Sequence, residues 1–327
     1  MKQILHFTFG YAQDDSFNYI HRGIAIVALE SMFKPVAGMR PKLACEIRPE
    51  GVVAARGDPG KVIVSFSPLA DGAVAPGLRV PNLVDSRAVR NALDSALGDV
   101  GARSGALTLV VPDAAARVLL LDFDTLPGRR SEALPVVRFR LRKMVPFDVE
   151  TASVSYQVMT EKDGQLNVLV TVIPGDVLEE YERVLRDAGY DPGVVLPGTL
   201  AAAAAVEGSS ATLMVNRIGA TVTTAVTQDD EMLLHRSMDL PADPVAREEE
   251  MAQAVNTALA WYEDTLKRLP STMYYAGPGG ASGAAQSRWA ALVEPAPRIA
   301  DLGGIEVSEI TSIPAGLTAG VTGALST

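Results

Sequence analysis

One order of elements occurs twice in this chain: strand, strand, strand, helix, strand. The first occurrence begins with three short apolar runs at 43–47, 52–56 and 61–66, separated by turns rich in proline and glycine. A helix is predicted at 85–97, where apolar residues recur at helical spacing, and a continuous apolar strand follows at 106–111. This segment therefore predicts a sheet covered by a helix.

The second occurrence lies in the C-terminal half of the sequence. Strands are predicted at 212–217, 221–227 and 232–236, a long helix at 244–269 and a strand at 272–276. Two such units in one chain are typical of the duplicated ribonuclease-H-like architecture of actin, sugar kinases and the Hsp70 ATPase domain. With 327 residues, 48% of them hydrophobic, the chain can bury two such cores. We therefore predict an α/β, actin-like fold of two lobes.

The stretch between the two units has a pattern of its own. Its predicted elements are strands at 118–123, 153–159 and 166–173 and helices at 131–144 and 177–188. We interpret it as a small inserted α+β subdomain whose strands at 153–159 and 166–173 offer an open edge. The predicted division is 39–116 for the first lobe, 117–193 for the insert, 194–210 for a connecting helix and 211–327 for the second lobe.

The first 38 residues differ in composition from the rest. They hold six of the eighteen aromatic residues (eight Tyr, eight Phe and two Trp in all) and show no helical or strand period. We interpret 1–38 as a mis-called or disordered N-terminal extension, with translation starting at Met39. The alternative is a short packed N-terminal arm.

The overall charge narrows the range of partners. A net charge of −10 and a pI of about 4.9 exclude long-range attraction to nucleic acid or anionic lipid. Cys45 is the only cysteine, which fits a reducing compartment. No stretch approaches the roughly 20 apolar residues of a membrane span, and the N-terminus lacks a signal-peptide pattern. We expect a cytoplasmic protein, without direct membrane insertion, that reaches any membrane through a partner.

Four segments resemble a known family in sequence and in order. The run 146–157, PFDVETASVSYQ, resembles the "PFPVEE…DYQV" stretch of the PilM family of type IV pilus assembly proteins, and 178–190 resembles the helix that follows it there. The segment 254–262, AVNTALAWY, is similar to the family's "IQRSLDYY" helix, and 273–280, MYYAGPGG, looks like its "IYLTGGG" adenosine loop. The resemblance covers about 40–325.

This resemblance implies a fold, a partner and a location. The fold is actin-like, and the insert is the relocated subdomain that PilM shares with FtsA. The partner is the N-terminal tail of an inner-membrane PilN-like protein, held in a groove between the first lobe and the insert. Other components of the pilus platform or motor are further expected partners. The implied function is that of a cytoplasmic scaffold or adaptor in type IV pilus assembly, peripheral to the inner membrane through its partner.

The nucleotide cleft of such a fold is predicted to be degenerate. In actin-like ATPases each lobe offers a "DxG" hairpin whose glycine lets backbone amides approach phosphate and whose acid orients magnesium-bound water. The first hairpin here reads Glu46-Ile47-Arg48, and Pro49 removes a further backbone donor. The second reads Arg217-Ile218-Gly219. The candidate cleft residues are Glu46, Arg217, Gly219, Ala220, Thr221, Gly277, Gly279 and Gly280.

A second departure concerns the lid of the cleft. Only about ten residues separate Arg236 from the long helix, where relatives carry a lid subdomain, so a nucleotide would be poorly enclosed. We therefore expect no catalytic residues, no metal and no ATP turnover, and leave open ATP as a structural ligand on the glycine-rich loop before a helix predicted from about Ala281. The alternatives are an active actin-like ATPase or kinase and a GspL-like cytoplasmic component of a type II secretion platform.

Two charged features carry expectations, and the first has two interpretations. The helix at 131–144 carries Arg138, Arg140, Arg142 and Lys143, either as a solvated face or as a docking surface for an acidic partner. The acidic run 248–250 is expected to be solvated and to favour the positive N-terminal end of its helix.

Overall fold

The computed structural model describes residues 41–58, 61–206, 209–229, 231–281, 288–289, 291–302, 307–309 and 313–326. The expected extension 1–38 lies outside the described residues, and so does nearly all of the helix expected from Ala281.

The described elements form fourteen strands and six α-helices. The strands are β1 (Leu43–Arg48), β2 (Gly51–Asp58), β3 (Lys61–Pro68), β4 (Gly105–Val111), β5 (Arg117–Phe123), β6 (Ser153–Lys162), β7 (Gln165–Ile173), β8 (Tyr190–Pro197), β9 (Thr212–Ile218), β10 (Thr221–Gln228), β11 (Glu231–Asp239), β12 (Thr272–Ala276), β13 (Arg298–Asp301) and β14 (Val307–Glu309). The helices are α1 (Ser86–Asp99), α2 (Arg130–Leu141), α3 (Gly175–Asp187), α4 (Gly198–Ala203), α5 (Pro244–Leu266) and α6 (Ala319–Leu325).

The two large sheets share one strand order. The first runs β14-β3-β2-β1-β4-β8 and the second β11-β10-β9-β12-β13. Leaving out β14, each is a three-stranded antiparallel meander followed by two parallel strands. A helix precedes the fourth strand in both, α1 in the first and α5 in the second. The predicted duplicated, actin-like fold is confirmed.

The first lobe includes more of the chain than the sequence predicted. Helix α3 was expected in the insert, but its buried face, with Val177, Tyr181 and Leu185, packs into the core formed by β1, β4 and α1. Strand β8 pairs in parallel with β4. The expected insert, 117–193, is therefore too long. Its last helix supplies the apolar layer over the first sheet, and β8 is the fifth strand of that sheet.

The insert itself consists of β5, α2, β6 and β7. Its sheet runs β5-β7-β6, so β7 is paired on both sides and cannot be the open edge that was expected at 166–173. The insert also packs against the second lobe, where Met159 and Leu169 share a buried cluster with Met232 of β11. Thr160 of β6 donates a hydrogen bond of 2.7 Å to Glu231, at the start of β11.

The end of the chain returns to the first lobe. Strand β14 pairs in parallel with β3, and α6 packs on α4 and on the first sheet, where Val321 and Ala324 are buried. The helices α4 and α6 approach closely because small residues line the contact, and a side chain at Gly323 would overlap the carbonyl group of Ala201. The expected second lobe, 211–327, therefore ends before β14.

The second lobe has almost no connection between its meander and its helix. Residues 240–243 alone separate β11 from α5, fewer than the ten expected, because β11 continues to Asp239. Asp243 caps α5 by accepting hydrogen bonds from the amides of Val245 and Ala246. The reduced lid predicted from the sequence is confirmed at this point of the chain.

None of the described helices combines the length and the apolar character of a transmembrane span.

Candidate functional site

The turns of the two first hairpins, one from each lobe, touch each other. Gly219, between β9 and β10, has a φ of 58°, and a Cβ built on it would lie 2.6 Å from Cγ of Pro49, in the turn between β1 and β2. Glycine suits this position, because the left-handed backbone disfavours a side chain and a Cβ would overlap Pro49. The candidate cleft is therefore closed at its base by a direct contact between lobes.

Arg48 lies at the centre of this contact. Its side chain is almost completely buried and donates to three oxygens: Oε2 of Glu50 at 2.9 Å, Oε1 of Glu46 at 3.3 Å and the main-chain carbonyl of Arg217 at 3.1 Å. Burial alone would lower the pKa of Arg48, but the two carboxylates raise it, so the guanidinium stays charged. One buried cation thus joins both carboxylates of the first hairpin to the backbone of the second.

Glu50 crosses from the first hairpin to the backbone of the second. Its Oε1 accepts a hydrogen bond of 2.9 Å from the amide of Gly219, while Oε2 accepts from Arg48. Burial raises its pKa, but the ion pair with Arg48 and the bond from Gly219 outweigh burial and hold it below the usual range. The glycine amide that the motif reserves for a phosphate oxygen therefore already holds a carboxylate oxygen.

Glu46 is the less satisfied of the two carboxylates. It is 1% exposed, its Oε2 has no hydrogen-bond partner, and a Cβ on Gly320 of α6 would lie 2.5 Å from that oxygen. Burial raises its pKa, Arg48 lowers it in part, and the charges of Glu50 and Asp113 raise it, which together bring the pKa to about 7. The glycine of α6 therefore makes room for the buried carboxyl group of Glu46.

Asp113 forms a second connection between the lobes. It follows β4 and accepts hydrogen bonds from the amide and the hydroxyl of Thr199 at the start of α4. It also accepts from the hydroxyl of Thr223 of β10 at 3.0 Å, and Asn216 of β9 donates to Thr199 at 2.9 Å. This buried network fixes the first lobe to the second beside the hairpin contact.

The amides of the glycine-rich loop after β12 are largely used within the protein. Gly277 donates to the carbonyl of Gly316 at 2.8 Å, Gly280 donates to the carbonyl of Gly277 at 3.2 Å, and Ala281 donates to Oδ1 of Asp301 at 2.7 Å. Gly279 has a φ of 89° and open space around it. The loop is thus a compact turn, with few donors left for an anion.

The structure brings some of the predicted cleft residues together and separates others. Glu46, Arg217, Gly219 and Gly277 surround the hairpin contact: Arg217 Nε donates to the carbonyl of Gly219, and a Cβ on Gly277 would lie 3.0 Å from Cβ of Arg217.

The remaining candidates face other parts of the fold. The carbonyl of Ala220 accepts from Leu240, and the hydroxyl of Thr221 donates to Asp239, so both face the end of β11. Gly279 belongs to the loop beyond the hairpins, and a Cβ on Gly280 would meet Asp301 and Ala315.

Sequence reasoning missed the side chains that fill the site. They are Arg48, Glu50, Asp113, Thr199 and Thr223. One signal was available: Glu46, Arg48 and Glu50 follow each other at every second position, so a strand running into a tight turn can place all three on one side. The expected role of the acidic run 248–250 is also wrong, because it begins beyond the first turn of α5.

A cavity of about 320 Å³ lies next to the site, where α5 begins. Trp289 lines it and packs edge-on against Tyr275, with 5.4 Å between ring centroids, and Tyr275 donates to the carbonyl of Pro278 in the glycine-rich loop. The ranges that the structure covers contain no cluster of histidine, cysteine and carboxylate side chains suited to a metal ion.

Fold and site together define a two-lobed, actin-like protein with an inserted subdomain and with its own side chains in the cleft. A solved structure of the PilM–PilN type IV pilus biogenesis complex aligns with 87% of this chain and 98% of its own, at a TM-score of 0.70 and 17% identity. The predicted resemblance to PilM is thus confirmed at the level of the fold.

Two further structures align at lower scores. The cytoplasmic domain of EpsL, from the type II secretion system of Vibrio cholerae, is 14% identical over 86% of this chain and 92% of its own, at a TM-score of 0.44. A Bacteroides thetaiotaomicron protein with an actin-like ATPase fold is 8% identical over 80% and 91%, also at 0.44. No family model matches the sequence, and no curated protein matches it.

Proposed function

We propose that this protein is a cytoplasmic scaffold of type IV pilus assembly that binds the N-terminal tail of a PilN-like inner-membrane protein. The observation that carries the proposal is the likeness in fold, over almost the whole length of both chains, to the PilM–PilN complex. The protein then sits at the inner membrane through its partner. Other platform or motor components are further candidate partners.

The filled cleft supports a scaffold without ATP turnover. A phosphate at the second hairpin would have to displace the Glu50 carboxylate from the Gly219 amide, and the displaced carboxylate would then repel it. Arg217 stands where the second acid of an ATPase would be, so it cannot hold magnesium. We infer that the hairpins serve to hold the lobes together. If ATP binds at all, it binds as a structural ligand beside the glycine-rich loop.

An open strand edge supports the proposed peptide site. In the described part of the chain, β6 pairs with β7 alone, so one edge of β6 has no strand partner. Its far end lies against β11 through Thr160, so the edge without a strand partner is on offer in the half that begins at Ser153. An extended peptide satisfies such an edge through main-chain hydrogen bonds, and side-chain pockets select its sequence. We place the partner tail along this half, between the insert and the first lobe.

Photo-crosslinking tests this placement. A photo-reactive phenylalanine analogue at the half-buried Tyr156 of β6 should crosslink to a synthetic peptide of the PilN-like tail, whereas the same analogue at Leu292 of the second lobe should not. Binding should be modest, on the order of micromolar, because the tail loses conformational freedom. Crosslinks formed only at Leu292, or in the loop 277–281, would contradict the proposed site.

A deletion tests the insert as a whole. Arg117 and Val172 are paired neighbours on β5 and β7, so the ends of the insert are roughly 5 Å apart and a linker of a few glycines can join Ala116 to Pro174. This variant should lose peptide binding and keep the first sheet, including α3 and β8. If the deletion variant bound the tail peptide as tightly as the natural chain, the proposed peptide site on the insert, and the adaptor function with it, would be wrong.

A further inference from the structure

The outer face of α2 is exposed in the described structure, where the ring of Phe139 has the guanidinium of Arg142 5.9 Å from its centroid. Phe139 is 71% exposed, and Val136, one turn earlier on the same face, is also exposed. Buried residues of α2, such as Val137 and Leu141, point the other way into the insert. An exposed aromatic on a folded helix costs free energy in water, so this face is suited to a contact with another molecule.

Positive charge surrounds Phe139, and part of it is free. Arg138 is used internally, since it donates to the carbonyls of Val149 and Ala152, and Arg142 pairs with Glu150 at 2.7 Å. Arg140 and Lys143 are exposed and form no ion pair within the ranges that the structure describes. An exposed apolar knob with two cations therefore lies on the insert. We call it the α2 knob: Val136, Phe139, Arg140 and Lys143.

The cavity at the start of α5 has the complementary character. Its apolar lining comes from Pro244, Val245, Ala252 and Trp289. Val245 is 68% exposed, a high value for valine. The cavity measures about 320 Å³. An apolar cavity of about 150 Å³ holds a benzene molecule, so a phenylalanine ring fits with room to spare.

Acidic residues line the same cavity. Glu248 and Glu249 belong to its wall, Glu250 follows, and none of the three forms a salt bridge with a described residue. Arg288 also lines the cavity, which leaves an excess of negative charge. Since the run begins beyond the first turn of α5, these carboxylates do not neutralise the helix terminus and remain free to face a cation.

We propose that the α2 knob of one copy of this chain docks in the α5 cavity of a second copy. Because Phe139 is largely exposed, it does not occupy the α5 cavity of its own copy. The knob is an apolar protrusion beside positive charge, and the cavity is an apolar hollow beside negative charge. Such a contact is heterologous, so each bound pair still has one free knob and one free cavity. Copies therefore add head to tail, and the insert of each contacts the second lobe of the next.

The contact should be weak in solution, with a dissociation constant on the order of 100 μM, because one aromatic anchor and two charge pairs must offset the cost of association. Raising salt from about 0.15 to 0.5 M should weaken it. At 0.15 M the repulsion between two acidic chains is already screened beyond about 8 Å, so added salt acts mainly on the close pairs at the contact.

Sedimentation velocity on the full chain, from about 5 to 300 μM, tests the proposal. The sedimentation coefficient of the natural chain should rise with concentration. Phe139→Asp, or Val245→Arg combined with Glu249→Arg, should weaken association by about 30-fold or more. Val84→Asp is the matched control, because Val84 is 58% exposed on the first lobe, away from both surfaces, and should associate like the natural chain.

Mixing the two defective variants tests the heterologous geometry. The Phe139→Asp variant keeps its cavity and the Val245→Arg, Glu249→Arg variant keeps its knob, so the mixture should form dimers and nothing larger. Should Phe139→Asp fail to fold, Arg140→Glu provides the same knob defect through charge. A natural chain that stays monomeric at every concentration would overturn the proposal and assign the knob to a different partner. Association that neither variant weakens, or a mixture without dimers, would overturn it equally.

Discussion

The first hairpins of the two lobes occupy equivalent places in equivalent sheets, yet they contribute opposite things. The second hairpin contributes backbone: the amide of Gly219 and the carbonyl of Arg217. The first contributes side chains, with Arg48 and Glu50 reaching across to those two groups. In an actin-like ATPase a nucleotide phosphate connects the two hairpins, whereas here the paired side chains of the first hairpin form hydrogen bonds to the backbone of the second.

Under the proposed function, the two hairpins join the lobes where a nucleotide would otherwise lie. The glycine of the second hairpin is kept, because only glycine allows the close approach of Pro49. The acid of the first hairpin is also kept, as Glu46, but it now neutralises Arg48. Gly219 and Glu46, which match the motif of an ATPase, thus have structural roles in this protein. Whether the Gly219 amide is available to a phosphate is therefore a better guide to ATP binding than the match to the motif.

The largest effect is expected when the cation between the hairpins is removed. Arg48→Ala leaves the buried Glu46 and the half-buried Glu50 without their cation, so the free energy of unfolding should fall by about 3–5 kcal/mol in urea titrations. Arg90→Ala is the control, because it breaks an exposed pair with Asp94 and should cost less than about 1 kcal/mol. Equal losses in the two variants would show that the ion pair does not join the lobes.

The pH dependence of the free energy of unfolding should reveal the raised pKa of Glu46 in the first hairpin. Burial raises the pKa of Glu46 from 4.5 to about 7, so the unfolded chain releases this proton first as pH rises. Its contribution is therefore greatest below pH 4.5 and falls by about 3 kcal/mol between pH 4.5 and 7. The Glu46→Gln variant should lack this slope, so the difference in free energy of unfolding between the natural chain and the variant, measured by urea unfolding at several pH values, should fall by about 3 kcal/mol between pH 4.5 and 7. An unchanged slope would contradict the assignment.

A smaller effect isolates the contact between the two turns. Gly219→Ala and Gly279→Ala both place alanine at a positive φ, 58° and 89°, at a cost of about 1–2 kcal/mol each. Only at Gly219 does the new Cβ meet Pro49, which should add about 1–2 kcal/mol. The difference between the two melting curves therefore measures the approach of the lobes. Equal melting temperatures would mean that the turns do not touch in solution.

The sequence predicted the meanders, the long helices and the repeated order well, because each carries its own apolar period. Helix α3 was predicted in the insert, whereas it belongs to the first lobe, and the reason is physical. Its apolar stripe shows that one face is buried, but helical spacing does not identify the sheet that covers it. The return of α6 to the first lobe was missed because its residues are small, with alanine and glycine carrying no amphipathic pattern.

The contacts of the site could be predicted only in part. Gly219 and the two altered hairpins could be predicted from the sequence, since their chemistry follows from the residue types. The bond from Gly219 to Glu50 joins residues 169 apart in the chain, and the hydrogen bonds of Asp113 to Thr199 and Thr223 span 86 and 110. Such pairings depend on how the lobes close on each other, which no local pattern encodes.

Magnesium-dependent ATP hydrolysis tests the central claim most directly. With the Glu50 carboxylate on the Gly219 amide and Arg217 in place of an acid, the purified chain should hydrolyse millimolar ATP no faster than buffer, and so should Glu46→Gln. Turnover above background that requires magnesium and is abolished by Glu46→Gln would contradict the account, since it would show a working cleft in place of a joint between the lobes.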